Sequence, residues 1–244
     1  VRPGEYRKVL VSFLGAYSVL SFMILAAALR NAFYITTFDV TTRPYVTVAV
    51  AVLTLPVAGL FGRAMSGRDP AAAYSLYVLG LAAVIAGLLL LSRPASGVMA
   101  LPPEVATVAF YLITVLGGSL LTSGFWIVTS ECFSLRQAKR LFGLVGAGGT
   151  LGAMITGLAA DRLLQEYSSF QIVPGLVLLL LAVLMLQRLM PRLHSHQKQE
   201  KAPAPTSIRE GVQLIKRSPH LRNIAYVVFL ATLLTTVLDQ QFME

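Results

Sequence analysis

Three groups of residues in this chain have types and spacings that could do chemistry. The first is LFGLVGAGGTLGAMITGLAAD, residues 141–161, with six glycines in twenty-one positions. Glycines that bare backbone N–H groups at the opening of a helix can cradle phosphate, so Gly146, Gly148 and Gly149 first suggest a nucleotide loop. Such a loop needs a strand before it and, in the Walker form, a Lys-Ser or Lys-Thr ending. Upstream lies the charged segment SLRQAKR, and no such ending follows. The spacing fits another use. Gly148 and Gly152 are four apart, as are Gly149 and Ala153, then Ala153 and Gly157, giving one small-residue face where helix backbones can approach. Glycine-rich helices in transporters also hinge or line a passage. Gly146, Gly148, Gly149, Gly152 and Gly157 are therefore candidate packing or hinge positions.

The second group consists of polar residues near the ends of apolar runs, where an ionisable side chain is expensive and marks a functional candidate. Arg30 directly follows the first run, with Asn31 and Tyr34 within a turn, Asp39 beyond, and Arg43 before the second. A loop arginine reaching the interface is one reading; binding of an anionic solute is the other. Thr114, Thr122 and Ser123 fall on one helical run and could line a passage, although hydroxyls also satisfy themselves on their own helix. Asp239 falls late in the last run. The third group, Glu131, Arg136, Lys139 and Arg140, sits between the fourth and fifth runs and reads as an ion-pair cluster at the cytoplasmic surface. Phe125 and Trp126 nearby are ordinary interfacial aromatics.

Other chemistries lack their residues. His194 and His196 have no acidic or cysteine companions at ligand spacing, so no metal site is expected. The single Cys132 cannot form an internal disulfide. No Ser/His/Asp set, paired carboxylates or HExxH arrangement is visible, so neither an enzyme nor a bound cofactor is expected.

The elements that must position these residues follow from composition. The chain has 244 residues, 56% hydrophobic and 13% charged, with mean hydropathy +0.71, against about 25% charged in a soluble domain. Apolar runs near 9–29, 45–62, 73–92, 105–130, 141–160, 170–190 and 221–238 are mostly about 20 residues long, enough for a helix to cross roughly 30 Å of hydrocarbon. They are continuous rather than alternating, which predicts helices and not a barrel. The expected fold is an all-α polytopic membrane protein with six complete spans and the start of a seventh.

The net charge of +9 does not imply a nucleic-acid partner, because the basic residues sit between apolar runs rather than on a soluble face. Their sidedness is informative. Arg2, Arg7 and Lys8, then Arg63 and Arg68, then Arg136, Lys139 and Arg140, and the long basic stretch from Arg188 to Arg222 fall on one side. Arg30, Arg43, Arg93 and Arg162 fall on the other. The positive-inside rule puts the N-terminus and the 191–220 loop in the cytoplasm, with a bacterial inner membrane as the expected location. Within that loop SIREGVQLIKR carries a capping signature in Ser207 and Glu210 and an apolar stripe of Ile208, Val212 and Ile215, as a basic helix lying on the membrane surface would.

The organisation predicted is a six-helix bundle over 1–190, a basic cytoplasmic linker over 191–220 and a seventh helix starting at 221–244. That is the layout of one half of a two-half transporter, so further chain beyond Glu244 or a partner subunit is expected. No internal repeat is clear in the sequence.

Three stretches carry a family resemblance: ALRNAFYITTF after the first span, FWIVTSECFSLRQAKRLFGLVGAGGTLGAMITG across the fourth and fifth, and SPHLRNIAY followed by LLTTVLDQQF. Together they resemble the N-terminal half of the ATP/ADP-translocase-like, nucleotide-transporting branch of the major facilitator superfamily, most specifically at Gln137 to Gly143. The resemblance implies a twelve-helix, alternating-access transporter with a central cavity between two six-helix bundles. Arg30 matches an arginine of the characterised exchangers. Their following lysine falls at Phe33 here, and their span-four glutamate at or beside Thr114. The superfamily's loop motif is degenerate at Gly59–Arg63 and Gly67–Asp69, without its central aspartate. A small anionic or nucleotide-like solute is the cargo expected. The alternative, favoured by the missing charges, is a transporter-like module without transport that serves as anchor, sensor or accessory subunit.

Overall fold

The computed structural model describes residues 5–39, 42–66, 69–92, 101–190 and 218–241. It divides into two compact units, Val1–Ser195 and His196–Glu244. The first holds six helices: α1 Tyr6–Thr37, α2 Arg43–Ser66, α3 Pro70–Leu91, α4 Pro103–Glu131, α5 Leu135–Glu166 and α6 Ser169–Leu189. All six are long and apolar enough to cross a membrane, and no strand occurs among the described residues. The protein is an all-α polytopic membrane bundle. Helices serve here because lipid offers no partner for a free backbone N–H or C=O. In the second unit the apolar run at 221–238 forms α7, Pro219–Gln241. The amphipathic segment expected at 207–217 lies outside the described residues.

Helix starts are written locally. Asp69 caps α3, its carboxylate accepting the Ala71 N–H at 3.2 Å, and Pro70 occupies the first helical position, where a missing N–H costs nothing. The SLRQ segment forms a reciprocal cap on α5: Ser134 Oγ accepts from the Gln137 N–H at 3.4 Å, and Gln137 Oε1 accepts from the Ser134 N–H at 3.1 Å. On α6 Gln171 Oε1 accepts from the Ser168 N–H at 3.1 Å.

Packing centres on α1, which touches α4, α5 and α6. α3 packs on α4 and α6, α2 on α3 and α4, and α5 on α6. Exchanging α1 with α4, α2 with α5 and α3 with α6 maps this set of pairs onto itself. The bundle therefore has the contact topology of two three-helix units, α1–α3 and α4–α6. Three crossings per unit reverse the direction of the second relative to the first, as in inverted repeats. The core lies along α1 through Val19, Phe22 and Leu29, with Tyr74, Val78 and Ile85 of α3, Leu121 of α4, Val145 of α5 and Leu176 and Leu180 of α6. Burial is uneven: 61% of the apolar window of α1 is buried in the bundle, against none of that of α2.

Candidate functional site

α1 is roughly 48 Å long at 1.5 Å per residue, more than a bilayer core requires, so Arg30 lies near the hydrocarbon boundary at the end opposite the N-terminus. Its side chain is turned into the bundle. The guanidinium carbon lies over the ring of Tyr111 on α4, 5.0 Å from the centroid, where the negative face of the ring attracts a cation. One turn on, Tyr34 is buried, its ring 5.9 Å from that of Tyr111 and edge-on. The Tyr34 hydroxyl bonds Thr42 Oγ1 at 2.6 Å. Arg30, Tyr34 and Tyr111 thus form one cluster across the α1–α4 contact; Asn31, next in the chain, is half-buried. A guanidinium presents N–H donors in a planar fork that matches carboxylate or phosphate.

Two neighbouring positions carry no charge, and the structure shows what fills them. The Phe33 ring packs edge-on against Phe110 at 5.3 Å and Phe170 at 5.0 Å. It lines a cavity of about 380 Å³ together with Thr36, Thr37, Thr107 and Ile85. No carboxylate is among the described residues that line it, so an ammonium there would have no ion-pair partner from that lining. Thr114 is buried, its hydroxyl donating to the carbonyls of Phe110 and Tyr111 at 2.7 and 3.2 Å. Thr122, two turns further along α4, donates to Gly118 O at 3.1 Å, and Ser123 to Ser119 O at 2.9 Å. The structure brings Arg30 and Tyr34 together on Tyr111, turns Thr114 and Thr122 onto their own backbone, and leaves the side chain of Asp239 outside what it describes.

Tyr111 is the residue that sequence reasoning missed. Its signal was its place one turn before Thr114 on the same helix, but which ring faces Arg30 depends on how α1 and α4 are rotated.

The glycines of α5 divide into two sets. A Cβ built on Gly148 would collide with the Phe13 carbonyl of α1, and one on Gly152 with the Tyr17 carbonyl. A Cβ on Gly149 would meet Leu20 Cγ at 3.2 Å. Ser21 Oγ donates to Gly152 O at 3.3 Å across the seam. Gly146 has nothing within 4 Å of an added Cβ, and Gly157 only Ile24 Cγ2 at 3.9 Å. The close seam is therefore made by Gly148, Gly149 and Gly152.

At the N-terminal end of the bundle, Glu5 at the start of α1 accepts from Arg140 at 2.5 Å and from Gln137 Nε2 at 3.1 Å. These bonds tie the start of α1 to the start of α5. Arg136, Lys139 and Glu131 are exposed at the same end. Glu5 has no local sequence signal, being more than 130 residues from its partners.

The chain matches no family model, no curated protein and no solved structure.

Proposed function

We propose that this chain is a six-helix half of a major-facilitator-type secondary transporter, akin to the ATP/ADP-translocase-like branch, moving a small anionic or nucleotide-like solute by alternating access. The observation that carries the reading is Arg30, a cation in a membrane helix turned into the bundle over Tyr111, with Tyr34 beside it. An arginine near a helix end can reach the interface, but this one is turned onto an aromatic ring of the bundle instead, where its guanidinium is placed to meet an anion. The exchange-symmetric contacts of α1–α3 and α4–α6 support the transporter reading, because inverted repeats underlie alternating access in many carriers. In this proposal Arg30 grips one anionic group of the solute, and the second half comes from further chain or a partner subunit. The reading includes no enzymatic step, no cofactor and no nucleic-acid partner. It places the N-terminus and the 191–220 loop in the cytoplasm of a bacterial cell with the bundle in its inner membrane.

A second reading, a non-transporting anchor, sensor or accessory subunit, draws on Phe33 and Thr114, where apolar packing and back-bonded hydroxyl stand in place of charge. Uptake into proteoliposomes of radiolabelled ATP, ADP, phosphate and succinate separates the two. The transporter reading expects saturable uptake of at least one, lost in Arg30→Gln and weakened in Arg30→Lys, which keeps the charge without the fork. No flux of any probe by well-folded protein, with stoichiometric partners retained in mild detergent, would favour the second.

A further inference from the structure

Threonines in this bundle mostly turn their hydroxyls onto their own helices: Thr54, Thr114, Thr122 and Thr150 each donate to the carbonyl four residues back. Thr129, near the end of α4, does not. It is fully buried and its Oγ1 has no hydrogen-bond partner. Across from it on α6, Gln187 donates through Nε2 to Ala71 O at 2.6 Å. That bond fixes the amide orientation, since the flipped form would set two carbonyl oxygens against each other. Gln187 Oε1 is then left buried and without a donor. Both side chains line one small cavity, walled by Gly15, Tyr74, Phe125 and Met190. The Gly15 wall is close-packed: an added Cβ would stand 2.8 Å from Phe125 Cε2. The cavity encloses about 10 Å³, room for about one water.

We infer that this cavity is a built hydration site, holding one water that accepts from the Thr129 hydroxyl and donates to Gln187 Oε1. Two orphaned polar atoms on residues that line one water-sized void are a combination that ordered internal water satisfies. Both groups are neutral and no carboxylate is among the lining residues, so the site suits water rather than a metal cation, which needs about six oxygens. The water would join α4 to α6, and through Gln187 to the first turn of α3, at the N-terminal end of the bundle. The inference is independent of whether the protein transports.

Thr129→Val tests it, because valine has the same shape without the hydroxyl. With the water present, that change removes a bond and should lower the melting temperature of the purified protein by about 2–4 °C. Thr129→Ser, which keeps the hydroxyl, should lie closer to the parent. An experimental density map able to resolve waters should show one peak between Thr129 and Gln187. A Thr129→Val protein that melts at or above the parent, or an empty cavity in the map, would overturn the inference. So would a melting temperature that rises with sodium chloride but not with choline chloride, since that would make the occupant a cation.

Discussion

The α1–α5 and α2–α4 seams are counterparts under the exchange that relates the two three-helix units, yet they are packed by opposite means. In the first, Gly148 and Gly152 bring the backbone of α5 against the carbonyls of Phe13 and Tyr17, and Ser21 bonds Gly152 O. In the second, α2 reaches its neighbours through a large side chain: Phe61 stacks edge-on with Tyr77 of α3 at 5.1 Å and approaches Gly124 of α4. A cavity of about 360 Å³ remains among Val57, Leu60, Ala64, Leu76 and Leu120. Gly59 and Gly62 of α2 face open space. Equivalent topology thus coexists with one closed and one open seam. The residues deciding between them are few: glycines whose added Cβ would strike a backbone in α5, and glycines whose added Cβ would meet no atom within 4 Å in α2. In lipid, where apolar tails compete with side chains, close backbone approach is what fixes a helix pair.

The contrast is most severely tested by Gly152→Leu, which has no room against Tyr17. It should abolish monodisperse, heat-resistant protein, and size-exclusion profiles before and after heating would reveal this. Phe61→Ala addresses the open seam. Losing the ring pair with Tyr77 should cost about 0.5–1.5 kcal/mol, seen as a modest drop in melting temperature with the fold retained; an effect matching Gly152→Leu would break the distinction. Ser21→Ala removes the hydrogen bond to Gly152 O across the closed seam and should cost about 0.6 kcal/mol, the typical worth of such bonds in membranes. Gly59→Ala on α2 should change stability by less than about 0.5 kcal/mol.

The spans were legible because continuous hydrophobicity over about 20 residues is a property of the chain itself. Each apolar run became a helix, with ends shifted by a few residues where caps such as Asp69 and Ser134 act. The SLRQ cap reads in sequence as a charged segment, although its Ser-x-x-Gln spacing was visible. The glycine face was legible as a set. Its division was not, because whether Gly146 or Gly148 meets α1 depends on a rotation of α5 that the spacing leaves free. The candidate site was legible at Arg30 and Tyr34, which share a helix. Tyr111, Phe110 and Phe170 belong to other helices, so their convergence on α1 is a property of packing. The same holds for the bond from Arg140 to Glu5.

The central claim is that the glycine-rich stretch of α5 is a packing surface pressed on α1 through one face. Thermal melts of Gly148→Ala and Gly146→Ala, in the same membrane-mimetic and on the same helix, test it most directly. Overpacking at Gly148 should cost about 1–3 kcal/mol, while Gly146→Ala meets nothing and gains the better helix propensity of alanine. The account predicts opposite signs: a lower melting temperature for the first, an unchanged or higher one for the second. Equal losses, or a larger loss at Gly146, would contradict it.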